Sequence, residues 1–418
     1  MPSFLHDLTL IETLIAVGLG ASTFLYLLGL RSAHEFFSRR RNGVAPAAGD
    51  LPPVTVLKPL KGVDIELYEN LVSLCRQRYH RFQILLGVAD PADPAVLLAR
   101  RLQQEYPDVD IELVVDSRVY GSNYKVSNLH NTVQRAKHDV IVLGDSDIRV
   151  GPDYLRRVVA PLSDPRVGLT TCLYRAVNRG GLPTLIESLF IHTDFDALVM
   201  VARKIEKSTY AFGATIALRR EVLDEIGGFL PLANYLADDY QLGNRIAARG
   251  YELALSHEIV ETVIGLGGWR RLFDHQLRWA RTYRISRPGG YFGSILTHGT
   301  FWALLNVLYH HFSPLSCLIS LAALSVRYFW AGAMTWRYLR ADTSPLAMLL
   351  VAPKDLFVSL VWFLAFAGNT VAWSGRRFRV LRGGEMVDLS PAPPATGEPW
   401  PEPVRAAESL PRAAGQNR

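Results

Sequence analysis

The chain has 418 residues, 49% hydrophobic and 20% charged, with a formal net charge of +6, and its mean hydropathy of +0.11 is high for a purely soluble enzyme. No basic run is interleaved with aromatics, which argues against a nucleic-acid partner, whereas a basic excess suits anionic lipid and a phosphate-bearing substrate. Cys75, Cys172 and Cys317 are scattered, which excludes a disulfide framework and a zinc-ligand spacing.

The first predicted element is an apolar stretch, residues 8–30, with Glu12 as its only charge. Its length suits one bilayer span. A cleaved signal peptide is the competing reading, but no basic segment precedes the stretch and no small-residue cleavage pattern follows it. Arg31, Arg39, Arg40 and Arg41 come next. By the positive-inside tendency they place the downstream chain in the cytoplasm, on the inner face of the cytoplasmic membrane.

Residues 51–285 carry no span and read as one α/β domain. Strands are predicted at 54–57, 84–88, 109–115 and 140–143, with helices at 66–78, 94–105 and 123–136 between them. Such alternation implies a mostly parallel sheet covered on both faces. Ligands bind beyond the carboxyl ends of its strands, so the polar residues there are the candidates. Lys58 ends the first strand. Asp90 follows the second, where Asp-Pro is also ordinary turn chemistry; its position makes it a candidate for contacting a nucleoside. Lys125 opens the helix before the fourth strand, facing either phosphate or solvent.

After that fourth strand come Asp145 and Asp147, separated by Ser146. On an extended backbone residues i and i+2 point the same way. Two converging carboxylates form a hard oxygen site for Mg²⁺ or Mn²⁺ that also takes substrate phosphate oxygens. His192, Asp194 and Asp196 form a weaker candidate cluster on the acceptor side. Asp238 and Asp239 precede a predicted helix at 241–249. One carboxylate there serves as an N-cap; a second exceeds that need and is a candidate general base for a hydroxyl nucleophile. His275, Arg278 and Trp279 lie just before the next apolar region. Arg278 suits a pair of phosphate oxygens and Trp279 offers a flat apolar wall, although basic-aromatic girdles are common beside membranes.

Residues 293–373 form the C-terminal membrane region. Apolar stretches 296–312 and 315–334 read as a helical pair broken at Ser313-Pro314, with Arg327 inside the second. A third, 346–373, is interrupted by Pro353, Lys354 and Asp355. Charge at that depth is costly, so this segment is kinked, interfacial or lined by protein. The basic residues Arg376, Arg377, Arg379 and Arg382 follow and read as a basic tail, which argues for a cytoplasmic end, while a simple count of spans argues against it. Residues 389–418, rich in Pro, Ala and Glu, read as a disordered tail.

In order, the segments 57–64 (LKPLKGVD), 88–90 (VAD), 125–129 (KVSNL), 145–147 (DSD), 238–240 (DDY) and 278–279 (RW) resemble the ceramide glucosyltransferase family. The closer likeness is to its bacterial relatives, including the glycosyltransferase associated with hopanoid biosynthesis. Residues 191–195, 211–220 and 226–229 add to it. The resemblance implies a GT-A nucleotide-sugar domain anchored by an N-terminal and several C-terminal transmembrane helices. It also implies a UDP-sugar donor, a membrane lipid acceptor, a divalent metal and inversion at the anomeric carbon. By position, Asp90 would contact uridine, Asp145 and Asp147 would serve metal and diphosphate, and Asp239 would be the base. Arg278 and Trp279 would bind diphosphate or acceptor. The family has Gln or Arg where this chain has His275, which leaves the substrate-binding role of that position open. Rival readings are a processive polysaccharide synthase, which needs more spans, a non-catalytic nucleotide-sugar-binding membrane protein, and a two-carboxylate glycosidase, which leaves Lys125 and Arg278 unexplained.

Overall fold

Runs of β-branched and aliphatic residues buried on both faces belong in the middle of a parallel sheet, and three such runs build the centre of this one. The computed structural model describes residues 10–42 and 51–390. The central strands are β1 (Val54–Pro59), β2 (Phe82–Val88) and β4 (Val140–Leu143), with β3 (Asp110–Val115) outside β2. Leu57 pairs with Leu85 on one side and Leu143 on the other, all parallel. That register brings Lys58, Asp90 and Asp145 to the same carboxyl edge. Beyond β4 the sheet becomes mixed. Adding β5 (Ile148–Arg149), β6 (Val167–Asn178), β7 (Ile216–Arg219) and β8 (Glu252–Ile264) gives eight strands in the order β3-β2-β1-β4-β7-β6-β8-β5. β7 runs antiparallel to β4 and β6, while β6 and β8 are parallel.

The sequence reading located β1 to β4 and did not assign β5 to β8. β6 and β8 carry charges that blur strand alternation, and those charges are paired in the fold: Arg175 with Glu261 at 2.7 Å and Arg157 with Glu258 at 3.1 Å. Helices 67–75, 95–105 and 124–133 cover the sheet where expected. Leu67, Leu71 and Leu74 recur at helical spacing on a buried face. Asn123 caps the third helix by accepting the Val126 N–H at 3.1 Å.

Among the described residues, three helices are long and apolar enough to cross a membrane, Leu10–Ser38, Pro314–Tyr338 and Pro345–Ala367. The whole first helix, Leu10–Asn42, has 33 residues, roughly 50 Å at 1.5 Å per residue against a hydrocarbon core of roughly 30 Å. The surplus turns dock on the sheet domain and on the end of the helix Pro314–Tyr338. Phe36 lies against His257, Phe37 stacks on Tyr338, and Glu35 pairs with Lys204 at 2.5 Å. Gly299–Tyr309 is a short apolar helix, about half a bilayer long. It turns back into Pro314–Gly332 through His311 and Phe312, both with positive φ.

Lys354 and Asp355 do not interrupt their helix. Pro353 falls in the first turn of Val351–Leu364, where no intrahelical N–H bond is lost, and both charges are buried against protein. Arg327 grips Asp355 with two bonds of 2.7 and 2.9 Å and reaches Asp194 at 3.0 Å. Lys354 pairs with Asp355 at 2.7 Å and also with Asp194. Thr300 donates to Asp355 at 2.5 Å. Of the readings left open for this segment, lining by protein is the one realised.

After Ala367 the chain leaves the helices and forms a second sheet, β11-β10-β9, from β9 (Thr370–Trp373), β10 (Arg376–Val380) and β11 (Met386–Asp388). The basic residues at 376–382 are thus part of a folded sheet and its turn rather than a juxtamembrane tail, because Phe378 and Val380 alternate with the arginines and are buried. The predicted tail beyond Ser390 lies outside the described residues.

Candidate active site

Gly213 marks where the candidate residues converge. A Cβ at this position would meet Asp145 Oδ2 at 3.0 Å, Asp239 Oδ2 at 3.4 Å and Lys125 Nζ at 3.5 Å. The three side chains come from different parts of the chain: the end of β4, the start of helix Asp238–Ala248, and the start of helix Tyr124–Val133. Gly213 itself lies on the turn before β7, and its N–H donates to Asp239 Oδ2 at 2.8 Å. A side chain here would crowd the cluster and push its carboxylates by a few tenths of an ångström, so glycine lets the backbone approach closely.

Lys125 bridges Asp145 at 2.6 Å and Asp238 at 3.3 Å. Burial works against its charge, but Asp145, Asp238 and Asp239 outweigh burial and hold its pKa well above the usual lysine range. Lys58 is buried beneath and donates to the Asp145 carbonyl at 2.6 Å. Burial lowers it to about 8, with Asp145 and Asp147 opposing. Asp147 accepts from the Thr262 hydroxyl at 2.7 Å. It is pushed up to about 6 by burial and by Asp145. Asp239 is likewise pushed up to about 6, by burial and then Asp238, against the pull of Lys125. Carboxylates outnumber cations here, and two of them resist ionisation.

Arg278 joins this cluster from helix Trp269–Ser286. Burial lowers it to about 10, while Glu187, Asp145 and Asp239 act to keep it charged. Trp279 packs on Phe190 and Phe195, each 5.8 Å between ring centroids, beneath the cleft. His275 turns toward protein: its Nδ1 meets Glu187 at 2.9 Å and its ring lies 5.0 Å from Trp279. Gln276 donates to the other Glu187 oxygen at 2.7 Å. Glu187 was missed by the sequence reading. Its signal is a lone charged residue in the helix Leu182–Phe190. Gly213 was read only as part of a family-like stretch, and Thr262 was not singled out.

Asp90 is exposed at the cleft rim and accepts the Ala92 N–H at 2.8 Å, a turn that leaves its second oxygen available to a ligand. His192, Asp194 and Asp196 do not form one cluster. His192 accepts the Ala176 N–H at 2.9 Å, and burial lowers its pKa to about 3. Asp194 faces Arg327 and Lys354. Asp196 is fully buried, which pushes its pKa well above the carboxylate range. A helix sends residues two apart to different sides, which turns Asp194 away from His192 and Asp196.

Among the described residues, no group of three or more His, Cys, Asp and Glu forms a ready metal cage. Asp145 and Asp147 fit a hard dication that completes its shell with substrate phosphate and water. The pKa of Asp147 is raised first by burial and then by Asp145, and the second of these, repulsion between the two carboxylates, is what a cation offsets.

The sequence profile described as glycosyl transferase family 21 matches residues 14–386. Ceramide glucosyltransferase 3 of Caenorhabditis elegans is 25% identical over 389 residues, covering 90% of this chain and 83% of that protein. Ceramide glucosyltransferase 1 of the same organism is 28% identical over 233 residues, covering 56% of this chain and 50% of that one. Among solved structures, a mannosyltransferase, PcManGT of Pyrobaculum calidifontis in complex with GDP-Man and Mn²⁺, is similar with a TM-score of 0.51 at 21% identity. The likeness covers 85% of this chain and 97% of that one, and it speaks to the fold alone.

Proposed function

Since the chain belongs to glycosyl transferase family 21, the family of the ceramide glucosyltransferases, we propose that it transfers a sugar from a UDP-sugar to the hydroxyl of a membrane lipid, with inversion. UDP-glucose with ceramide and UDP-N-acetylglucosamine with a hopanoid polyol are the two pairings this reading covers. The catalytic unit is residues 51–285, on the cytoplasmic face of the inner membrane, held by the N-terminal helix and by the membrane region expected at 293–373, whose helices end at Ala367 because residues 370–373 fold as β9.

The convergence of Asp145, Asp239 and Lys125 on Gly213 carries this reading. It joins a phosphate-facing acid-and-lysine site to a carboxylate with no cation of its own. In the proposed reaction Asp239 accepts the proton of the lipid hydroxyl as that oxygen attacks the anomeric carbon from the face opposite UDP. Gly213 N–H and Tyr240 N–H hold the carboxylate by one oxygen each, which fixes its direction. Lys125 and Arg278 face the diphosphate as it departs, and Asp90 takes the uridine. Trp279 walls the acceptor side. Asp145 and Asp147 would hold Mg²⁺ or Mn²⁺, and the charge compensation that such an ion would supply is for the leaving group. Binding both substrates in line supplies much of the remaining rate.

The test is an incubation of protein-containing membranes with Mg²⁺, each UDP-sugar, and ceramide or bacteriohopanetetrol, read by lipid mass. A hexosylceramide or an N-acetylhexosaminyl hopanoid supports the reading and selects the pairing, and EDTA should abolish it. UDP binding without any glycolipid would overturn lipid glycosylation, and a polysaccharide product would point to a synthase.

A further inference from the structure

The small C-terminal sheet has no separate core. Phe378, Val380, Val371 and Met386 pack with Leu236, from the loop before Asp239, and with Ile285, from the helix that carries Arg278. Polar contacts reach three segments of the cleft. Ser122, just before the Lys125 helix, donates to the Met386 carbonyl at 3.1 Å. In the Asp238-Asp239 loop, Asn234 O accepts the Met386 N–H at 2.7 Å, and Leu236 N–H donates to Gly384 O at 3.2 Å. Arg281, on the Arg278 helix, donates to the Thr370 carbonyl, and Arg284 to the Gly368 carbonyl at 3.1 Å. A sheet this small needs its apolar face packed against something else, and this one packs on these three segments.

Arg376 is the residue of this sheet that turns toward the cleft. Its guanidinium donates to the Tyr124 hydroxyl at 2.5 Å and pairs with Asp388 at 2.9 Å. Tyr124 is the immediate neighbour of Lys125. Lys61, just past β1, is lowered first by burial, is held up by Asp93, and also feels the charge of Arg376, so a second cation stands near Arg376 at the carboxyl edge where a parallel sheet binds its ligands. A guanidinium fixed by a carboxylate on one side keeps further N–H donors in a rigid fork.

We propose that residues 370–388 are part of the active site: the sheet locks together the segments bearing Lys125, Asp239 and Arg278, and Arg376 contacts the diphosphate of the nucleotide donor. This rests on the UDP-sugar reading above. It adds a phosphate contact from a segment more than 90 residues, by numbering, past Arg278 and beyond the last membrane helix. The consequence is that the donor site is completed only after the whole membrane region has been made and folded, so a chain ending at Ala367 would lack part of it.

The test uses full-length protein in lipid nanodiscs, titrated calorimetrically with UDP and with uridine in the presence of Mg²⁺. Arg376→Ala should weaken UDP binding roughly tenfold or more, as loss of a charge-assisted hydrogen bond does, and leave uridine binding within about twofold. Arg376→Lys should recover part of the loss. Unchanged UDP affinity, or equal losses for UDP and uridine, overturns the diphosphate contact. If Arg376→Ala lowers the thermal midpoint, Tyr124→Phe carries the test. It keeps the Arg376–Asp388 pair and should still weaken UDP about threefold with uridine unaffected; no change overturns the contact. Wild-type protein that binds no UDP would overturn the donor reading, and this proposal with it, whereas wild-type binding with an indifferent Arg376 sinks this proposal alone.

Discussion

The molecule buries charge in two places, on opposite terms. Between the membrane helices and the sheet domain, Arg327 and Lys354 face Asp194 and Asp355, two cations for two anions, and Thr300 adds a further bond to Asp355. In the cleft, Asp145, Asp147, Asp238 and Asp239 share Lys58, Lys125 and Arg278, and Asp147 and Asp239 are pushed up to about 6. The first group is balanced and closed by its own partners. Its work is to hold a helix pair against the catalytic domain in a place where an unpaired charge would be costly. The second group is unbalanced and open to one side. Groups whose protonation is strained in the free protein are the ones a ligand relieves, so the imbalance is evidence of a site and the balance is evidence of a joint.

Removing one member from each group should therefore do different damage. Asp239→Asn should lower turnover by roughly 10²–10⁴-fold, the usual worth of a general base, with UDP affinity and thermal midpoint nearly unchanged. A folded variant with full turnover would refute the assignment. Asp355→Ala should act on stability instead. It leaves Arg327 and Lys354 underpaired at a cost of about 3–5 kcal/mol, read as a lowered unfolding midpoint in nanodiscs. Loss of turnover with no loss of stability would mean the joint has a catalytic part.

The pH profile separates the two groups again. Asp239 must be ionised to accept a proton, and its pKa is raised to about 6. Activity should therefore be full above that pH and fall roughly tenfold per unit below it. Asp238→Asn removes the second cause of the shift, so the acid limb should move to lower pH; a limb that stays in place would assign it to another group. The smallest effect is expected at His275. Glutamine can donate to Glu187 as the imidazole does, so His275→Gln should keep turnover within about threefold. A large loss would mean that the imidazole itself touches substrate.

The strands β1, β2 and β4 were legible because a short run buried on both faces has few polar residues to confuse it, and Asp145 and Asp147 were legible because they close such a run. From the residues alone Asp239 could be named only as one of two adjacent acids, and the family resemblance singled it out. Its difference from Asp238 lies in the Gly213 N–H it accepts, and that bond joins residues 26 apart in the chain. Lys354 and Asp355 were recognised as costly, but their partners Asp194 and Arg327 come from elsewhere in the chain and leave no local pattern. Arg376 and its neighbours looked like a basic tail. What made them a sheet was apolar surface supplied by Leu236 and Ile285.

Local order in the sequence thus determined the central strands, the helices around them, the apolar spans and the chemical inventory of the cleft, because propensity and hydrophobic period act over a few residues. Tertiary structure alone decided which carboxylate lacks a cation, which charges cancel between the helices, and that residues beyond the last span return to the cleft. Pairing energies depend on distance in space, and chain order does not contain that distance.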